Sequence, residues 1–140
     1  MQRRLLIVAL CALPLSLTGL MAEDGHGGGK DGDHNRVRAK LSGPAISGET
    51  PSGSAVSSSH DGQNSFRVEV EDVNLPDGTR LTVNLMHEGN RMRVGELTIM
   101  GGSGELDLHA RNGDQVPQAQ QGDVVHVSQG QMSILAGVFF

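Results

Sequence analysis

The sequence has no tryptophan and no tyrosine, and its only aromatic side chains are Phe66, Phe139 and Phe140. A sugar cleft lined by stacking aromatics is therefore not available, and any core has to be packed from aliphatic side chains. Cys11 is the single cysteine, and it falls inside the apolar amino-terminal run. The chain beyond it has no thiol nucleophile and no disulfide, so burial and backbone pairing have to hold it together. No "GxSxG" elbow occurs, and "GGSG" at 101–104 has no lysine after it, which makes it a turn rather than a phosphate loop. Basic residues are outnumbered, 11 against 16 acidic ones, and they are scattered along the chain. Nucleic acid is excluded as a partner on that ground, because neutralising phosphates requires a clustered basic face.

Arg3 and Arg4, an apolar stretch from Leu5 to about Leu20, and the small residue Ala22 follow one another at the start. This is the pattern of a signal peptide over residues 1–22. Pro14 breaks the stretch, which falls short of the roughly 20 residues that span a bilayer. The expectation is a secreted or periplasmic protein, not membrane-spanning once the signal is removed; the alternative is a retained anchor. Cleavage after Ala22 removes two basic residues and no acidic one, taking the formal charge from −5 to −7.

The next stretch, "EDGHGGGKDGDHN" from Glu23 to Asn35, has acids and histidines set among glycines. Asp31, Asp33 and Asn35 stand at alternate positions like the start of a calcium loop. Such a loop continues with glycine at its sixth position and glutamate at its twelfth, where this chain has Arg36 and Ser42. An amino-terminal copper site wants histidine third, and cleavage after Ala22 makes His26 fourth. With nothing apolar to bury, residues 23–35 read as a flexible Gly/Asp/His-rich spacer. The alternative is a copper or zinc site built from His26, Asp31, Asp33 and His34. His109 and His126, with an acid such as Asp107, offer a second one, since both histidines fall on polar strand faces that a sheet can bring together. Met86, His87 and Met92 also flank one hairpin in a combination that suits cuprous copper, although methionine is also ordinary core filler.

From residue 36 to 140 the chain alternates apolar and polar residues in short runs divided by turns, and it reads as one domain. "SFRVEVEDV" places Phe66, Val68 and Val70 on one face, and "RLTVNLMHE" does the same with Leu81, Val83 and Leu85. Gly89-Asn90 and Gln129-Gly130 read as hairpin turns, and Gly95 as a bulge. "ILAGVFF" at the end is apolar at both parities, as in a strand covered on both sides or one closing a sheet. About eight short strands without a helical period predict an all-β fold, an antiparallel β-sandwich or a small open barrel. "VEVEDV…GTRLTV…VGELTI" and "LDLHAR…GDVVHV…ILAGVF" run in the same order, so a duplication is an open reading beside simple hairpin repetition.

"LSGPAISGETPSGSA", Leu41 to Ala55, with "FRVEVEDVNLPDGT" after it, resembles the opening of CHRD domains, small extracellular β modules. The later "VGELTIMGGSGELDLHARNGDQVP" is similar to small secreted bacterial β proteins without assigned activity. The family's His-Ile-His segment is missing, with only His87 in "LMHEGN", and the resemblance supplies no functional residue. Taken together, the chain is expected to be a non-enzymatic binding or structural module of the cell envelope. Its partner would be an envelope protein or another surface, with no catalytic residue and no cofactor assigned. The alternative function is extracytoplasmic copper or zinc binding.

Overall fold

The structure, a computed structural model, describes residues 35–140. Eight antiparallel strands form one sheet: β1 (Asn35–Ser42), β2 (Ser52–His60), β3 (Gln63–Glu71), β4 (Arg80–His87), β5 (Asn90–Thr98), β6 (Gly104–His109), β7 (Val124–Gln129) and β8 (Met132–Val138). Their order across the sheet is β5-β4-β7-β8-β1-β2-β3-β6. Asn35, counted above with the spacer, already pairs with Ser59 at the start of β1. No helix among the described residues is long and apolar enough to cross a membrane.

A single hydrophobic core draws on all eight strands, from Val37, Ala39 and Leu41 of β1 to Ile134 and Leu135 of β8, with Leu106 and Leu108 of β6 packed against it. One sheet can surround one core only by curling on itself, so the predicted open barrel is the form adopted. Edge strands β5 and β6 have no ladder between them. Side chains bridge that gap instead: the δ-methyls of Leu106 lie 3.1 and 3.2 Å from where a Cβ on Gly95 would stand. At one end of the barrel the β3–β4 connection closes over the core with Val73, which is fully buried. At the other, the β6–β7 connection closes over the core with Ala119, whose N–H donates to the buried hydroxyl of Ser57 at 3.0 Å.

Two-residue turns set the hairpins. Asp61-Gly62 and Glu88-Gly89 both have positive φ at their central residues (49° and 75°, 48° and 79°), the conformation whose twist matches that of the flanking strands. The β4–β5 turn thus centres on Glu88-Gly89, one residue before the predicted pair. The last hairpin pairs Gln129 with Met132, which leaves Gly130-Gln131 as its central residues.

Bulges explain the other departures from simple alternation. Val83 pairs with Gly95 and Asn84 with Arg93, so Val94 is the extra residue beside the predicted Gly95 bulge. In β8, Leu135 pairs with Val127 and Ser133 with Ser128, which makes Ile134 the extra residue and buries it next to Leu135. Beyond it Leu135 and Phe139 point inward, whereas Val138 and Phe140 are exposed. The apolar outer parity of "ILAGVFF" is therefore open to solvent rather than covered. The two similar sequence blocks correspond to β3-β4-β5 and β6-β7-β8, and β3 pairs with β6 and β4 with β7.

Candidate functional site

The outer face of β1, β2, β3 and β6 concentrates the polar chemistry. Inward residues on these strands are Val37, Ala39 and Leu41, Ala55 and Ser57, and Phe66, Val68 and Val70, so their neighbours in sequence point out. Strand register aligns the outward residues in rows across the sheet. One row reads Arg36, Ser58, Ser65, His109; the next Arg38, Val56, Arg67, Asp107; the third Lys40, Ser54, Glu69, Glu105. Small side chains on β2 thus form a floor between long charged ones on either side. Depressions of about 290 and 320 Å³ lie side by side over Ser54 and Val56, on the β3–β6 and β1 sides of β2, and one of about 250 Å³ continues past them at Ser52 and Ser54. They make a trough parallel to β2.

Its two walls carry opposite charge. The β1 wall is Arg36, Arg38 and Lys40, which had read as scattered basic residues; alternation puts all three on one side of the strand. The β3–β6 wall is Glu69, Glu71, Glu105 and Asp107, with Arg67 set among them. Arg67 donates from Nη2 to Asp107 Oδ2 at 2.9 Å and lies 3.5 Å from Glu69 and 3.6 Å from Glu105. On its other oxygen Asp107 accepts from Nε2 of His109 at 2.9 Å. Hydrogen bonding to Arg67 holds the Asp107 carboxyl below its ordinary range, against the opposing effect of desolvation, and His109 adds to the lowering. Ser65, directly across from His109, shares a 2.6 Å hydrogen bond with Ser58.

The strand histidines considered as a metal pair are not brought together. His109 lies on β6, which pairs only with β3, while His126 lies on β7 between β4 and β8. Both point outward on different sides of the barrel, because Leu108, Val125 and Val127 take the inward positions. Sequence alternation identified the faces correctly and carried no information on which strands are neighbours. Asp107 finds Arg67 as the partner of its second oxygen in place of a second imidazole. Met86 and Met92 face opposite sides of their hairpin, since Met92 pairs with inward Leu85 and Met86 with Arg91. No group of three or more histidine, cysteine, aspartate or glutamate side chains suited to a metal is present among the described residues. His26, Asp31, Asp33 and His34 lie outside the described residues.

No protein-family model, curated protein or solved structure matches this chain.

A second polar site, not anticipated from the sequence, pins the β6–β7 connection. Nδ1 of His87, at the end of β4, donates to Asp123 Oδ1 at 2.7 Å. Asp123 is buried, and its other oxygen accepts from the Gln120 N–H at 2.9 Å. The bond to Asp123 raises the His87 pKa above its ordinary value, desolvation works against it, and the charges of Asp123 and Glu88 add to the rise. A raised value in the folded state means that protonation favours folding. This stabilisation is fully present below the unfolded histidine pKa of about 6.5 and is lost as pH climbs through the folded value. In His87→Gln, the deficit in thermal midpoint relative to the parent should therefore be largest near pH 6 and shrink towards pH 9. A deficit equal at both pH values would show that the imidazolium contributes nothing there.

Proposed function

We propose that this protein is a non-enzymatic, secreted or periplasmic β-domain, a binding or structural module of the cell envelope that engages its partner through the trough over β2. The observation that carries this reading is the separation of charge across the trough: a cationic wall on β1 and an anionic wall on β3 and β6, held apart by the small floor residues Ser54, Val56 and Ser58. Three paired strands keep that spacing constant without loop movement. A long open depression with charge on both sides complements an extended or flat protein surface better than a small enclosed substrate. The apolar amino-terminal run and Ala22 support export, and the resemblance of Leu41 to Ala55 to CHRD domains fits an extracellular β module.

A photo-crosslinking residue at Val56, on the trough floor, tests this in the full-length protein expressed in a bacterium that exports it. Specific adducts from position 56, absent from the same residue at Arg91 on β5, are the expected result. Equal labelling from both positions, or none from Val56, would overturn it.

Copper or zinc binding is the second reading, favoured by the acid and histidine tract His26, Asp31, Asp33 and His34. Metal analysis of untagged protein separates the two. Stoichiometric metal that is lost on deletion of residues 23–34 would establish the metal role. In its absence that deletion is expected to move the thermal midpoint by only a few degrees, given that about 1 kcal/mol corresponds to roughly 4 °C in a domain of this size.

A further inference from the structure

The occupant of the trough can be identified from its own charge pattern. Outward on β1 stand three cations, Arg36, Arg38 and Lys40. Outward on β3 and β6 stand the four carboxylates Glu69, Glu71, Glu105 and Asp107 and the one guanidinium of Arg67. The balance is therefore three positive charges on one side of β2 against a net three negative on the other. A face with equal and opposite charge about its midline complements itself, but in one orientation only. Rotation by half a turn about an axis parallel to β2 lays a second copy face to face and exchanges left for right. Each copy's β1 wall then meets the other's β3–β6 wall. An axis across the strands would instead set cations over cations.

We infer that a second copy of this chain docks on the outer face of β1, β2, β3 and β6, forming a symmetric dimer whose two-fold axis runs along β2. The inference rests on the binding reading above and names the partner for the same face. Strand level is conserved by this rotation, so Lys40 of one protomer faces Glu69 of its partner across Ser54, and Arg38 faces Arg67, whose charge is outweighed by Glu69, Glu105 and Asp107 around it. Val56 lies close to the axis and faces its own copy. Exposed Phe140, which lines the depression beside β1 together with Val56, supplies apolar area. Because the sheet curls, only β1, β2 and β3 lie close to the contact plane; three strands at about 4.8 Å and about six residues at about 3.3 Å cover a footprint of roughly 300 Å². That is below the roughly 800 Å² per partner of stable complexes, so the dimer is reversible and salt-sensitive.

Reciprocal charge reversal tests the geometry. Lys40→Glu and Glu69→Lys each place two repulsive pairs in a homodimer and are expected to weaken self-association at least tenfold in sedimentation velocity. Mixed in equal amounts, the two variants form a heterodimer in which both Lys40–Glu69 contacts are attractive, and association returns to the parent level. Unchanged thermal midpoints confirm that each variant is folded. A parent that stays monomeric at millimolar concentration, or a mixture no better than its components, would overturn the dimer. Val56→Cys in a Cys11→Ser background, treated with a short bismaleimide, is expected to give a covalent homodimer. If photo-adducts from Val56 contain only other proteins, the dimer fails while the binding face stands; if there are no adducts at all, both fail.

Discussion

Phe139→Ala is expected to destabilise the domain by about 3–5 kcal/mol, whereas Phe140→Ala should leave stability within about 0.5 kcal/mol of the parent. Adjacent residues on a strand point to opposite faces, and the bulge at Ile134 determines which of the two rings is inside. Phe139 is 1% exposed and Phe140 is 68% exposed. The Phe139 ring packs against Phe66 with centroids 6.1 Å apart and planes tilted by 59°. With no tryptophan or tyrosine in the chain, this pair is the only aromatic contact its core can make, and truncation of one ring leaves a cavity that aliphatic neighbours fill only partly. A loss of that size is a large part of the roughly 5–15 kcal/mol that holds a typical domain folded. The backbone at Phe140 nonetheless matters, since its N–H donates to the Arg38 carbonyl at 2.8 Å and its carbonyl accepts from the Arg38 N–H at 3.1 Å. These bonds survive Phe140→Ala, but deletion of residues 137–140 removes them along with Phe139 and should abolish cooperative folding. Urea unfolding of both single variants and the deletion provides the check. Equal midpoints for Phe139→Ala and Phe140→Ala would contradict the register of β8.

Gly137→Ala is expected to cost about 3 kcal/mol, for a different reason. A Cβ at this position would collide with the Lys40 carbonyl oxygen and stand 2.9 Å from Cδ2 of Leu41. The obstacle is the backbone of β1, which cannot rotate away as a side chain can. It also falls at the weakest seam in the sheet, where the β1–β8 ladder contains Ser42 opposite Ala136 and a further bridge joins Ala39 to Phe139. Gly113→Ala is the control: its φ of 83° disfavours a side chain, but a Cβ there meets no atom within 4 Å. It should cost only about 1–2 kcal/mol. Thermal and urea unfolding of the two variants side by side distinguishes steric parting of the seam from backbone strain. If Gly113→Ala proves the more damaging, close approach at the seam is not what requires glycine at 137.

Much of this fold could be read locally. Alternation in "SFRVEVEDV" and "RLTVNLMHE" assigned the inward faces of β3 and β4 without knowledge of any neighbour, because side-chain direction in a strand follows from the pleat alone. The all-β class, the strand count and the Gly95 bulge follow from the same local rules. Other features depend on pairing between distant segments. Nothing local to "ILAGVFF" says that Ile134 is a bulge residue, since a bulge is defined by the strand opposite, here Val127 and Ser128 of β7. His109 and His126 look equivalent in sequence, yet β6 pairs with β3 and β7 lies between β4 and β8. Arg36, Arg38 and Lys40 gain meaning only once β2 and β3 lie beside β1 and place Glu69 and Glu71 across a floor of serine and valine. His87 and Asp123 are 36 residues apart, and only closure of the barrel end brings them to 2.7 Å. Within an unbulged strand the local pattern settles which side chains share a face, because backbone geometry acts between adjacent residues. Which side chains meet was decided by the tertiary structure, through the pairing order that buries one shared aliphatic core.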